Sequence, residues 1–281
     1  MIWLLPAACC SILVALILKI NEVRGGSRIL LAGANYIVAS LLSLALLGGR
    51  IPRPDAVTVT IGSVMGIDFV LGFLLLMAGI ARGPLTIPVT VMRLSVAVPI
   101  AASIVIWGEH PHGVQWTGIV LGMIAIVLFG WGLSRPGASS HRGGSYWFFI
   151  VSLFLVMGVA DLLLKTFREL SPGTERLLFT WILFTVSAVF TWVLVCVRRI
   201  PFRRRTFLLG LALGVPNLFS TIFMLMALQS VPASIAFPFV NLTVILGSAL
   251  LGLLAWKERI RGLALAGLAI AAVALILLPI T

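Results

Sequence analysis

Two ionisable side chains fall where the surrounding chain is almost wholly apolar: Asp68 in "VMGIDFVLGF" and Arg93 in "VTVMRLSVAV". A carboxyl in such a place can carry a proton or hold a cationic group. A guanidinium can hold a carboxylate or phosphate through its planar fork. The two can also pair with each other and merely staple helices together. Polar residues recur 149 positions later: Met65, Asp68, Gly72 and Leu75 fall over Gly214, Asn217, Thr221 and Met224. Spacings of 3, 4 and 3 put each set along one helical stripe. Asn241 lies at the level of Arg93, but the same shift pairs it with Met92. That is a difference of about 100° around a helix, so Arg93 and Asn241 need not face the same space. Asp68, Arg93, Asn217, Thr221 and Asn241 are therefore the candidate substrate-binding or coupling residues, with a buried polar clamp as the alternative.

Other polar groups point to less. "GEHPHG" places Glu109, His110 and His112 together, but no fourth ligand supports a metal and the equivalent stretch reads "KERIRG". No metal is expected. Asp161 and Lys165, and Lys19 and Glu22, have helix-surface ion-pair spacing. Asn35-Tyr36 suits a hydrogen bond between helices. Catalysis on a lipid-linked substrate would need acids, His or metal ligands converging near one interface, and none converge here. A channel would need a selectivity element, and none is evident. The phosphate-binding G-x-x-x-x-G-K-[ST] pattern is absent, which argues against direct ATP drive. No cofactor and no catalytic residue are expected.

The elements that must position these residues are set by composition. With 61% hydrophobic residues and a mean hydropathy of +1.19 over 281 residues, the chain cannot coat a water-soluble globule. A ~30 Å hydrocarbon core takes about 20 apolar residues per helix. Spans are expected near Ile2–Lys19, Ser27–Leu47, Val57–Ile80, Leu85–Trp107, Val114–Leu133, Ser145–Lys165, Thr174–Val197, Thr206–Leu228, Pro232–Trp256 and Arg261–Leu278. Their unbroken length predicts an all-α integral membrane protein of ten helices rather than a barrel of short alternating strands. The first span has no basic leader and reads as a retained helix. Cys9, Cys10 and Cys196 lie inside spans and carry no redox information.

The formal charge of +12 would suggest nucleic acid for a soluble chain, but here Lys and Arg gather in loops and at helix ends. Odd-numbered loops hold 14 of them and even-numbered loops 5, which predicts cytoplasmic odd loops and both termini outside.

The chain also repeats itself. A shift of 149 lays Trp107 on Trp256, Glu109 on Glu258, Gly113 on Gly262, Gly118 on Gly267, Ala125 on Ala274 and Leu128 on Leu277. Matching apolar residues follow from composition, but a repeated Trp-x-Glu at one loop position does not. This predicts two copies, 1–133 and 145–281, joined by an inter-repeat loop at 134–144. Five spans per copy is odd, so the second copy enters the membrane inverted, an arrangement typical of secondary transporters. Matched proline-broken stretches, "GPLTIP" and "VPASIAFP", make Pro88 and Pro238 candidate gating hinges. The pairs Gly62/Gly66, Gly118/Gly122 and Gly210/Gly214 predict close helix approach.

Residues 221–278 resemble the terminal helices of EamA-like members of the drug/metabolite transporter superfamily: an alanine-rich helix, a short loop, a long helix ending in a glutamate, then a Gly/Ala-rich last helix. Glu109 and Glu258 match the family's glutamate in both copies. The glycine that usually precedes it is present as Gly108 but replaced by Lys257. The resemblance implies a ten-helix transporter with a central cavity lined by the third, fourth, eighth and ninth helices. It also implies cytoplasmic termini, against the charge count, on which the expectation of outside termini rests. The expected function is a secondary transporter, an exporter of a small polar or amphipathic metabolite by alternating access with proton exchange. The alternative is a flippase-like carrier of a lipid-linked or zwitterionic lipid intermediate. The expected partners are a small-molecule substrate and the bilayer, with no nucleic acid. The expected location is the bacterial inner membrane.

Overall fold

A computed structural model describes residues 1–48, 53–82, 86–133, 144–171, 175–257 and 260–280. Every described regular element is helical: α1 (Leu4–Val23), α2 (Arg28–Leu46), α3 (Ala56–Arg82), α4 (Thr86–Leu94), α5 (Ala97–Trp107), α6 (Gly113–Leu133), α7 (Gly144–Leu170), α8 (Arg176–Val197), α9 (Arg204–Ala227), α10 (Ala233–Trp256) and α11 (Leu263–Leu277). Among the described residues nine stretches are long and apolar enough to cross a membrane, α4 and α5 contributing one of them as Ile87–Trp107. The last expected span is an apolar helix of only 15 residues. Large apolar side chains such as Ile2, Val105, Trp131, Phe148, Leu254 and Ile276 are exposed, which suits helices whose solvent is lipid.

The fourth expected span is in two pieces. Pro88 is the third residue of α4, where its missing N–H has no partner within that helix to lose. The described interruption lies at Ser95–Val96 instead. Its cause is Pro99, which offers no N–H to the Ser95 carbonyl four residues back. That carbonyl takes the Val98 N–H at 2.9 Å, and the Ser95 hydroxyl donates to the Met92 carbonyl at 2.7 Å. Gly158 of α7 lies against this break; a Cβ there would stand 2.5 Å from Val98 Cβ and 3.1 Å from the Ser95 oxygen. Pro238 lies within α10 and Pro216 within α9, and each helix is assigned through its proline.

Two compact units make up the chain, and each draws on both ends of the sequence. One comprises Met1–Val70 with Leu163–Ser230, the other Leu71–Leu162 with Val231–Thr281, the divisions falling within α3 and α7. In the first unit α2 packs on α8 and α9, and α1 on α9. Glycines allow the approach. A Cβ on Gly66 would stand 2.7 Å from the Leu183 carbonyl oxygen and 2.8 Å from Val186; one on Gly214 would stand 2.6 Å from the Asn35 carbonyl oxygen and 2.7 Å from Val38. One turn earlier, Gly62 faces Ile182 and Phe179 while Gly210 faces Ala34 and Leu31. Each member of one set lies 148 residues from its counterpart in the other.

The second unit packs α6 on α11 and α4, and α10 on α5, α6 and α11. Gly118 meets Leu277 and the Leu278 amide, and Gly267 meets the Phe129 amide and the Ala125 carbonyl. The caps correspond as well. α5 ends at Gly108 with φ +63°, the following Glu109 N–H donating to the Ser103 carbonyl at 3.1 Å; α10 ends at Lys257 with φ +52°. Both are left-handed helix ends, a conformation in which glycine is unstrained and lysine is not.

Candidate functional site

Within the second unit, Arg93 stands in the last turn of α4 and Asn241 in α10. Arg93 Nη1 donates to Asn241 Oδ1 at 3.1 Å. The two therefore do meet, against the expectation from superposing the copies. The offset of about 100° concerns how one copy lies over the other, whereas here the two helices present these residues to one another within one unit. The Asn241 amide donates back to the Phe237 carbonyl at 3.2 Å, which fixes its oxygen toward the guanidinium. Asp161 of α7 lies within electrostatic reach of Arg93. All three side chains are half-buried. A guanidinium placed so in an apolar span, oriented by an amide and beside a carboxylate, can bind a carboxylate or phosphate or act as one partner in a switchable ion pair.

The first unit holds the other candidates. Asn217 of α9 donates to Asn35 Oδ1 of α2 at 3.1 Å, and Thr221 donates to the Asn217 carbonyl at 3.2 Å. Asn35 and Thr221 are buried. Tyr36 beside them stacks on Phe184 with centroids 6.2 Å apart. Asp68 is 8% exposed near the middle of the 27-residue α3, and its Oδ2 has no hydrogen-bond partner among the described residues. An orphan carboxyl oxygen there is costly unless a proton, cation or ligand meets it. Within its own unit Arg93 has Asn241 as hydrogen-bond partner and Asp161 within electrostatic reach.

The signature glutamate has a definite task. α10 begins at Pro232, whose side chain cannot cap a helix. Glu109 supplies the cap from the distant α5–α6 connection, accepting from the Ala233 N–H at 3.0 Å, the Ser234 N–H at 2.9 Å and the Ser234 hydroxyl at 2.6 Å. A carboxylate at a helix N-terminus also meets the positive end of the helix dipole. Trp107 closes α5 just before this corner. Glu258 lies outside the described residues, as does most of the expected 134–144 loop; Trp256 ends α10. His110 and His112 are exposed. Sequence reasoning missed Asp161 as the neighbour of Arg93 and Ser234 as the partner of Glu109. The second was signalled by a proline standing at a helix start with no capping residue of its own.

Residues 1–131 match the EamA-like transporter family. Over that stretch the chain is similar to the family. Its members are membrane transporters of the drug/metabolite type rather than enzymes. An uncharacterized protein of Haemophilus influenzae is 24% identical over 280 residues, covering 92% of this chain and 90% of the relative. A solved crystal structure aligns with a TM-score of 0.77 at 14% identity, covering 97% of this chain and 95% of that one, a likeness of fold.

Proposed function

We propose that this EamA-like protein is a secondary transporter of the bacterial inner membrane that exports a small polar or amphipathic metabolite by alternating access, coupled to proton exchange. The observation that carries this reading is Arg93, held at 3.1 Å by Asn241 and beside Asp161 within otherwise apolar spans. A cation in that setting is retained at a cost of at least ~2.5–3.5 kcal/mol if it meets lipid, which favours a role in recognising an anionic part of the cargo. Asp68, with its unpartnered oxygen, is the proposed proton carrier. Asn217, Thr221 and Asn241 are proposed to line the cargo's path.

We take 1–133 and 145–281 as inverted repeats. The support is that packing contacts recur at an offset of 148, Gly66 on Leu183 and Val186 answering Gly214 on Asn35 and Val38, and that the left-handed caps Gly108 and Lys257 recur at 149. Pro88 and Pro238 remain the proposed hinges, to which the break at Ser95–Val96 is added.

The test begins with a metabolite-library thermal-shift screen of the full chain in detergent, since a ligand of the native state raises apparent stability. Hits are then assayed by counterflow in proteoliposomes. Transient accumulation of label against unlabelled internal cargo, abolished by R93Q, is the expected result. Simple equilibration without trans-acceleration would indicate a channel, and chemical conversion of the hit an enzyme; either would overturn the proposal.

A further inference from the structure

The turn between α1 and α2 and the start of α9 enclose an open depression in the first unit, lined by Asn21, Arg24, Arg203, Arg204, Arg205 and Thr206. We propose that it is a binding site for a phosphate group that carries an O–H donor, supplied either by an anionic lipid headgroup or by free phosphate. The proposal is independent of the transport site.

Four guanidinium groups surround one depression and no acidic residue lines it. The adjacent Glu22 is engaged with Arg28, whose Nε donates to its Oε2 at 2.7 Å. Arg203 donates to the Gly25 carbonyl at 3.2 Å, which ties the α9 start to the α1–α2 turn, whereas Arg24, Arg204 and Arg205 have no side-chain partner among the described residues. Like charges gathered in this way repel one another and concentrate anions. α9 begins here as well, with Arg203 at its N-cap supplying no side-chain cap to the helix's first N–H groups.

Asn21 supplies the independent observation. It is 1% exposed, its Nδ2 donates to the Gly26 carbonyl at 3.2 Å, and its Oδ1 has no partner among the described residues. That oxygen only accepts, so it calls for a donor rather than a bare anion. A partly protonated phosphate, or a phosphodiester with a headgroup hydroxyl, brings negative oxygens for the arginines and an O–H for Asn21. Sulfate brings only the first. Gly26 packs closely against this group: a Cβ there would overlap Asn21 Oδ1 and stand 2.8 Å from Thr206 Oγ1.

The experiment titrates the purified full-length chain in detergent, by calorimetry, with inorganic phosphate, with sulfate at matched ionic strength, and with dihexanoyl phosphatidylglycerol. The double variant R204Q/R205Q is compared with R198Q/R199Q, which removes the same charge from the same loop outside the depression. Saturable binding that R204Q/R205Q weakens about tenfold or more, with less than about twofold change in R198Q/R199Q, is expected from loss of two charge-assisted contacts. Wild type should prefer phosphate to sulfate, and N21L should lose that preference. If phosphatidylglycerol binds more tightly than phosphate and displaces it, the source is the headgroup; the reverse order assigns free phosphate. Equal weakening by the two double variants would reduce the site to diffuse charge and overturn the proposal, as would absence of saturable binding by either probe. Should N21L not fold, the two arginine variants, all at exposed positions, decide alone.

Discussion

Arg93 and Asp68 are the residues on which transport should depend. For Arg93, replacing the guanidinium with a neutral amide removes a charge-assisted interaction worth about 1.5–3 kcal/mol, so R93Q should lower cargo affinity by roughly ten- to hundredfold in counterflow. Removing only its 3.1 Å partner in N241A should cost less, about fivefold, because the charge stays in place. If R93Q transports as wild type does, Arg93 is a structural cation only. D68N keeps size but cannot exchange a proton; it should retain membrane insertion and lose proton-coupled accumulation, and unchanged accumulation would remove Asp68 from coupling. The presence of Asp68 and Arg93 within apolar helices was legible from the sequence, because a charge in an apolar run is conspicuous. Their partners were not. Asp161 is 68 residues from Arg93, and Asn241 is 148 away, so only the fold places them around it.

Glycines and caps decide how the helices pack and end. The contacts of Gly66 and Gly214 are counterparts, each with a carbonyl oxygen under 2.8 Å from the position a Cβ would take. G66A and G214A should therefore destabilise the chain similarly, by about 1–3 kcal/mol each, read as equal drops in thermal-unfolding midpoint. Markedly unequal drops would count against the repeat. Lys257 stands where its counterpart is Gly108, at φ +52°. K257G should raise the midpoint by relieving about 1 kcal/mol of left-handed strain, while G108K should lower it. E109Q should destabilise by about 1–3 kcal/mol, since an amide can turn only one acceptor oxygen toward the donors of Ala233 and Ser234. The spans themselves were legible from hydropathy. The break at Ser95–Val96 was not, because Pro99 acts four residues upstream of itself, at a carbonyl whose own residue carries no breaking signal.

For the whole molecule, sequence periodicity points to a division of the chain that differs from its compact units. The proposed copies, 1–133 and 145–281, follow one another along the chain, whereas each unit combines an early segment with a late one, Met1–Val70 with Leu163–Ser230 and Leu71–Leu162 with Val231–Thr281. Contacts such as Trp192 donating to the Gly33 carbonyl at 3.1 Å join residues no local pattern connects. Orientation in the bilayer depends on something else again, the resistance of Lys and Arg in short loops to translocation. Of these residues, 14 fall in odd-numbered loops and 5 in even-numbered ones, and "VRRIPFRRRTF" alone holds five. That loop precedes three spans, so an odd number of crossings separates it from the chain's end. If it is cytoplasmic and the 15-residue α11 crosses as well, the C-terminus is outside, and ten crossings in all put the N-terminus on the same side. A reporter active only in the periplasm, fused after Thr281, should therefore be active, and one that matures only in the cytoplasm should be silent. Neutralising Arg198, Arg199, Arg203, Arg204 and Arg205 together should reduce that bias and yield a mixed population. The opposite reporter pattern in the unmodified chain would place both termini inside and would mean that the charge imbalance does not set this protein's topology.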